Sequence, residues 1–464
     1  MQGLKAKNAK GETYMAYGGD WGDVPNDGNF CMDGMLHSDH TPHPGLVEYR
    51  KAVEPVQTLR LEGNEVTIVN RYDHRTLDHL KATWCLVDEK GRGEEKAVQI
   101  PQSVKPHTEA KMVIEGLPKE FSSETYVRIS FKLPEETVWS PADYEIAFGE
   151  HQLSPAQALS SIKASLQSTA APTATQSTPG TLTIKTADGS TIWTVDLTLG
   201  ALSGWHRASD PSKNLITIPA GLDFYRALTD NDQGAHFGKQ WRERRLHQTK
   251  HHTRKVTWSP EGNTLQVKIE GRIAPPVLAW GIDTVSTLSF SDNGVVIKTK
   301  GTPGGALLPD TFARIGLTVG LAGVENVSWF GRGPGESYSD KKLSQSFGAY
   351  NSSVDDLFVD YEFPQDGGNR TDVRTVEFQT EKKDKVLRAR FGDLEGASFS
   401  AMRYTTKDVD EAKHPYELRE KRREDVVARL DFVHHGLGTG SCGPETLPEY
   451  VLKAGEFEFE IVLD

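Results

Sequence analysis

The chain has 464 residues, of which 36% are hydrophobic, carries three cysteines and has a formal net charge of −12. That length exceeds one ordinary domain and points to about two to four, with enough sequence for sizeable cores. The acidic balance makes the chain a poor candidate for sequence-independent binding to nucleic acid, which needs concentrated Lys and Arg, and no apolar run approaches the roughly 20 residues that span a membrane.

The first ten residues, MQGLKAKNAK, hold no hydrophobic signal region, so a cytoplasmic location is expected. Cys31, Cys85 and Cys442 lack metal-ligand spacing and fit reduced thiols better than a disulfide framework.

Thr13-Tyr14-Met15-Ala16-Tyr17 reads as one short buried strand. Residues 16–46 then run AYGGDWGDVPNDGNFCMDGMLHSDHTPHPGL. Four carboxylates (Asp20, Asp23, Asp27, Asp33), two aromatic faces (Trp21, Phe30) and five glycines share this unhelical stretch. Pro25-Asn26-Asp27-Gly28 has the residue types of a tight turn. Polar and aromatic loops after short strands commonly carry binding residues; a surface turn with solvated acids is the bland alternative. Gly45 to Lys51 reads as one or two helical turns. One strand and one helix cannot build a core, so residues 1–50 belong to something larger.

From Val56 the period changes to two. Val56–Leu61, Val66–Val69, Thr83–Val87, Lys111–Ile114, Tyr126–Phe131 and Tyr144–Phe148 read as strands separated by turn residues. This pattern over residues 51–150 predicts a β-sandwich of immunoglobulin-like size, without the Cys–Trp–Cys frame of a true immunoglobulin domain. Ser, Thr, Ala and Pro dominate the second half of residues 151–180, which reads as a linker, with a short helix in its first half. Residues 181–464 return to strands: 181–185 and 191–197 as a hairpin, then 265–269, 286–290, 295–298 and 457–461. So many strands suggest one large two-layer β domain. Asp410 to Arg423 is the best helix candidate.

Several clusters invite a chemical reading and resist it. His434-His435 near Cys442 lacks zinc or nucleophile spacing. Gly331-Arg332-Gly333-Pro334-Gly335 lacks the dinucleotide spacing and reads as a turn. The basic runs at 242–255 and 419–423 are interleaved with acids or histidine, and read as solvated or subunit-contact surfaces. Asp20, Asp23 and Asp27 do not follow the calcium-loop spacing. Glycoside hydrolysis needs two carboxyl groups flanking one bond, and no Glu here stands in a context that marks it as one of them.

The residues nonetheless carry a resemblance. YGGDWGDVPNDGNFCMDG at 17–34 followed by PHPGLVEYRK at 42–51 resembles the end of the catalytic barrel of glycoside hydrolase family 2 β-galactosidases. FYRALTDNDQG at 224–234, WFGRGPGESYSDKK at 329–342, YEFPQDGGNRTDVR at 361–374 and HHGLGTGSCGPETLPEY at 434–450 are similar, in order, to that family's large C-terminal domain, most like its fungal branch. The resemblance implies a mainly β fold: the end of a (β/α)8 TIM barrel over 1–50, an immunoglobulin-like β-sandwich over 51–150, a linker over 151–180, and a galactose-mutarotase-like β-supersandwich over 181–464.

It also implies a retaining β-galactosidase whose acid/base and nucleophile glutamates, like its magnesium ligands, lie upstream of Met1. On that reading no catalytic residue is present, and the isolated chain is inactive. The implied partners are a β-galactoside substrate and either further copies of the chain or a complementary barrel-bearing chain. An alternative is a noncatalytic small chain that gives sugar-binding and assembly surface to a separate large chain. Phe30 matches the residue whose carbonyl binds sodium and whose ring lies beside the galactose 6-hydroxyl. Asp33 matches the sodium's side-chain ligand, where the bacterial pattern has Asn. Asn26 and Asp27 fall in the same substrate-side loop, Gly234 begins a mobile loop, and Cys442 stands where the bacterial pattern has a Trp that stacks on the aglycone.

Overall fold

The computed structural model describes residues 3–166 and 170–464. Strand Thr13–Ala16 forms near the expected position and pairs antiparallel with a second strand, Leu4–Lys7, which periodicity did not reveal in so short and polar a stretch. A one-turn helix, Gly28–Met32, follows the glycine-rich loop, and helix Pro44–Ala52 begins with proline at its first turn, where the missing N–H costs nothing. This helix joins three parts of the molecule. Glu48 accepts from the backbone N–H groups of Leu343 and Ser344, and Arg50 donates to the Glu145 carbonyl.

The next unit is a sandwich. Val56–Glu62, Glu65–Asn70 and Glu109–Val113 make a three-stranded sheet. Glu145–Ser154, Thr125–Lys132, Lys81–Asp88, Gly91–Arg92 and Lys96–Val98 make a five-stranded one. Alternation explains the packing. Val127, Ile129 and Phe131 point inward from one strand and meet Val66, Ile68 and Trp84 in a closed core. Each such buried side chain contributes about 1.5–3 kcal/mol. This immunoglobulin-like unit docks on the large domain through the Tyr126 and Phe347 rings, stacked at 4.3 Å, and the Arg374–Glu124 ion pair.

The large domain is a supersandwich of an eight-stranded and a nine-stranded sheet. The first runs from Thr173–Thr178 at one edge to Ser398–Met402 at the other; the second runs from Lys250–Glu261 to Ser346–Ser353. Trp193, Phe290, Trp280, Phe378 and Ile461 fill the space between the sheets.

Three expectations are corrected. Residues 151–180 are not a plain linker: they hold the end of strand Glu145–Ser154, helix Leu159–Ser165 and edge strand Thr173–Thr178, while 167–169 lie outside the described residues. The edge strand escaped notice because most of its side chains are exposed and polar, so no apolar alternation marks it. The helix expected over 410–423 is two short ones, Thr406–Glu411 and Pro415–Arg419. Proline bars the helical region to the residue before it, and His414 is extended, with φ −135° and ψ 151°. Gly331 and Gly333 belong to strand Asn326–Gly333 rather than to a turn. A Cβ at Gly333 would stand 2.8 Å from the Tyr350 ring and 2.9 Å from the Trp329 ring, so the glycines permit close packing across the sheet.

Candidate functional site

The 17–34 loop is built largely by its own polar side chains. Asp20 accepts from the Tyr17 N–H, and Asp23 accepts from the Gly19 N–H with both oxygens. The Asn26 amide donates to the Asp23 carbonyl and accepts from the Gly28 N–H. These bonds hold the turn in shape, with Gly19, Gly22 and Gly28 at positive φ. Asn26 is thereby spent inside the loop. Asp27 stands at the N-terminal end of helix Gly28–Met32, its carbonyl accepting from the Phe30 N–H.

The loop is pinned to the large domain around His414. Nε2 of His414 lies 2.9 Å from an Asp20 oxygen, the Tyr17 hydroxyl donates to the Lys413 carbonyl, and the Tyr14, Tyr17 and Tyr416 rings pack around the imidazole. Asn29 then reaches across and donates to Asp230 at 2.8 Å.

Asp230 starts the short helix Asp230–Gly234, whose Thr229 cap and Asp232 form a reciprocal capping box. Gln365 clamps Asp230 from the other side, donating to its carboxylate and accepting from its N–H. Asn231 donates to the Gly438 carbonyl and accepts from the Ser441 hydroxyl. Asp340 receives the N–H groups of Leu437 and Gly438. Gly234 has no room for a side chain: a Cβ would meet Ser441 Cα at 2.5 Å and the Gly440 carbonyl at 2.7 Å.

These segments enclose a cleft of ≈ 430 Å³, with Asn29, Asp33, Asp230, Gln365, Asp340 and Ser441 among its lining. The side chains are carboxylates, amides and hydroxyls, backed by Tyr361 and Phe363. Such a lining offers many hydrogen bonds in fixed directions and suits a polyhydroxylated ligand.

Of the residues singled out from sequence, Asp33 lines the cleft. Phe30 sits on the one-turn helix that Asp33 caps and is 53% exposed. Gly234 packs behind the 437–441 loop, and Cys442 is exposed beside Ser441 with its thiol free. Asn29, Asp230, Asn231, Asp340 and Gln365 were not singled out. Each lies inside one of the motifs quoted above, and their convergence was the signal to look for.

The floor below the cleft is charged and buried. Arg226 pairs with Asp232 at 2.8 Å, Arg429 with Asp366 at 2.5 Å, and the Tyr338 hydroxyl donates to Asp366. Burial works against the Asp366 carboxylate, but its charged surroundings, Arg429 first and Arg226 with it, together with the Arg429 hydrogen bond hold the group below the usual range. Burial drives His434 well below the ordinary histidine value, and the Arg226 charge adds to the effect. Beside the cleft, a hydrogen bond to Glu362 raises His37 against the effect of burial. Burial, reinforced by the His37 charge, lowers His43 to about 4. Glu362 falls to about 2: burial opposes the shift, but the bonds from His37 and the Ser38 N–H prevail.

The chain thus combines two large packed sheets, a docked immunoglobulin-like sandwich and a polar cleft built by loops. Comparison with known proteins narrows this. Residues 187–463 match the family model described as β-galactosidase small chain, residues 66–154 match β-galactosidase domain 4, and residues 1–58 match the TIM barrel domain of glycosyl hydrolases family 2. The chain belongs to the β-galactosidase small chain family.

A β-galactosidase of Kluyveromyces lactis is 32% identical over 459 residues, covering 97% of this chain and 41% of the relative. One from an Arthrobacter species is 28% identical over 482 residues, covering 97% of this chain and 45% of the relative. The chain thus spans less than half the length of these curated relatives. Among solved structures, a galactose mutarotase-like protein from Lactobacillus casei aligns with a TM-score of 0.34 at 10% identity, over 61% of this chain and 99% of that one. Among the described residues no helix is long and apolar enough to cross a membrane.

Proposed function

We propose that this chain forms one wall of the galactoside pocket of a retaining β-galactosidase, which removes terminal non-reducing β-D-galactose from lactose and related galactosides. The acid/base and nucleophile glutamates of that reaction are supplied by barrel strands outside residues 1–464. The observation that carries the reading is convergence. Asn29 and Asp33 from the N-terminal loop, Asp230 and Asn231, Gln365, and Ser441 meet around a single polar cleft although they come from four separate segments of the chain.

Phe30 supplies a carbonyl from helix Gly28–Met32, and Asp33, which caps its C-terminal end, supplies a carboxylate. Oxygen donors of this kind fit a hard cation, so these two are the sodium ligands contributed here; magnesium is bound by the barrel. Trp21, Val24, Phe30 and Tyr49 are all more than half exposed, which supports a further surface, from the barrel-bearing part, packing against them. The working assembly therefore needs that part, in a cytoplasmic homo-oligomer or as a complementary chain.

The test is turnover of a chromogenic β-galactoside. Purified 1–464 alone is expected to give none, and mixing it with a barrel-bearing chain that is inactive by itself is expected to restore it. Turnover by 1–464 alone, free of host enzyme, would refute the reading.

A further inference from the structure

The turn at 35–43 and the loop at 361–366 bring together three side chains that the galactoside reading does not use. Leu36 and Pro42 form an isolated antiparallel bridge, the His37 N–H donates to the Thr41 carbonyl, and the His43 N–H donates to the Met35 carbonyl. This bridged turn sets His37 and His43 side by side, with ring centroids 4.2 Å apart and 33° between planes. Glu362 comes from the large domain. One of its oxygens accepts from the Ser38 N–H at 2.6 Å, and the other lies 3.3 Å from Nδ1 of His37. One ligand atom from each of His37, His43 and Glu362 lies within 4.8 Å of the others.

We propose that His37, His43 and Glu362 form a binding site for a zinc-class divalent cation that staples the 35–43 turn to the large domain at the edge of the cleft. Two imidazoles and one carboxylate form a borderline donor set that suits zinc and its neighbours. Calcium and magnesium prefer all-oxygen shells. Zinc about 2.0–2.2 Å from each donor separates tetrahedral ligands by about 3.4 Å; His37 Nδ1 and Glu362 already stand 3.3 Å apart, and the widest pair, within 4.8 Å, closes by at most about 1.4 Å. The Ser38 N–H already orients the carboxylate, the kind of outer contact that tunes metal sites. His43 and Glu362 line the cleft while His37 and Glu362 line the neighbouring depression, so a fourth position is left for water. The side chains of His37 and Glu362 are only 15% and 18% exposed, which separates this cluster from a chance group of surface histidines.

The experiment strips the full chain with a chelator and titrates it with zinc alone against a chromophoric competitor. The expected result is one tight equivalent, together with intense visible bands when cobalt(II) is used instead, as four-coordination requires. His43→Ala and Glu362→Gln are each expected to weaken binding at least about tenfold. No saturable binding, binding that neither variant disturbs, or the weak spectrum of six-coordinate cobalt would each overturn the proposal. Should a variant fail to fold, the cobalt spectrum of the unaltered chain decides. Metal binding is read without any turnover, so this test and that of the galactoside pocket fail independently.

Discussion

At Gly234 the chain has no room for even one methyl group. Gly234→Ala would drive a Cβ into the backbone of Gly440 and Ser441, which cannot rotate away as a side chain would. Overpacking of this kind costs about 1–3 kcal/mol. The expected outcome is a lower thermal midpoint and faster amide exchange over 437–441, measured on the same sample. Protonation adds a second prediction. His434 is held neutral by burial and the Arg226 charge. Below its ordinary value of 6.5 the unfolded chain takes up a proton that the folded chain refuses, so stability falls as the solution becomes more acid. One fully blocked group contributes a slope of about 1.4 kcal/mol per pH unit. His434→Gln is expected to flatten denaturant-measured stability between about pH 6.5 and 5 by up to that amount; an unchanged slope would place the proton uptake elsewhere. Residue types marked Asp33 only as one of four loop carboxylates, and the family resemblance singled it out. They could not show that Asn26 would be consumed by Asp23 and Gly28, because its partners depend on how the turn closes.

Short elements were legible where an apolar alternation ran through them. Tyr126–Phe131 and Val66–Val69 sit inside the observed strands Thr125–Lys132 and Glu65–Asn70 because every second side chain enters a core. Thr173–Thr178 and Lys250–Glu261 were not legible as strands. Both are sheet edges, largely exposed, and both carry polar or basic side chains that suppress the period-two signal. The basic run at 419–423 is partly tied down within the chain, with Arg422 paired to Asp355 and Arg423 to Asp425. The break at His414–Pro415 has a use beyond ending a helix. It turns the imidazole toward Asp20 and into the Tyr14, Tyr17 and Tyr416 rings. His414→Ala is expected to loosen the N-terminal unit alone. Hydrogen exchange should rise over residues 13–23 and stay unchanged in strands 280–291 and 294–305. Equal loosening in both places would mean that His414 supports the whole domain.

For the whole molecule, the central feature is that the cleft has no single owner. The N-terminal loop contributes Asn29 and Asp33, and the supersandwich contributes the loops that face them. The sandwich between them in sequence is locked to the supersandwich by Arg374–Glu124 and by Glu150, which accepts from the Phe347 N–H. That docking fixes the path of helix Pro44–Ala52 and, through it, the position of the loop. Sequence motifs named each contributing segment, but their meeting depends on strand order across two sheets, which no local pattern encodes. The most direct test of the proposed pocket is a crystal structure of this chain joined to a barrel-bearing part, with a non-hydrolysable β-galactoside bound. The account predicts the galactose ring between Asp33 and the Phe30 ring, with the aglycone side toward Ser441. A galactoside bound in that assembly without contact to any residue of the 29–33, 230–231 or 437–441 segments would contradict it.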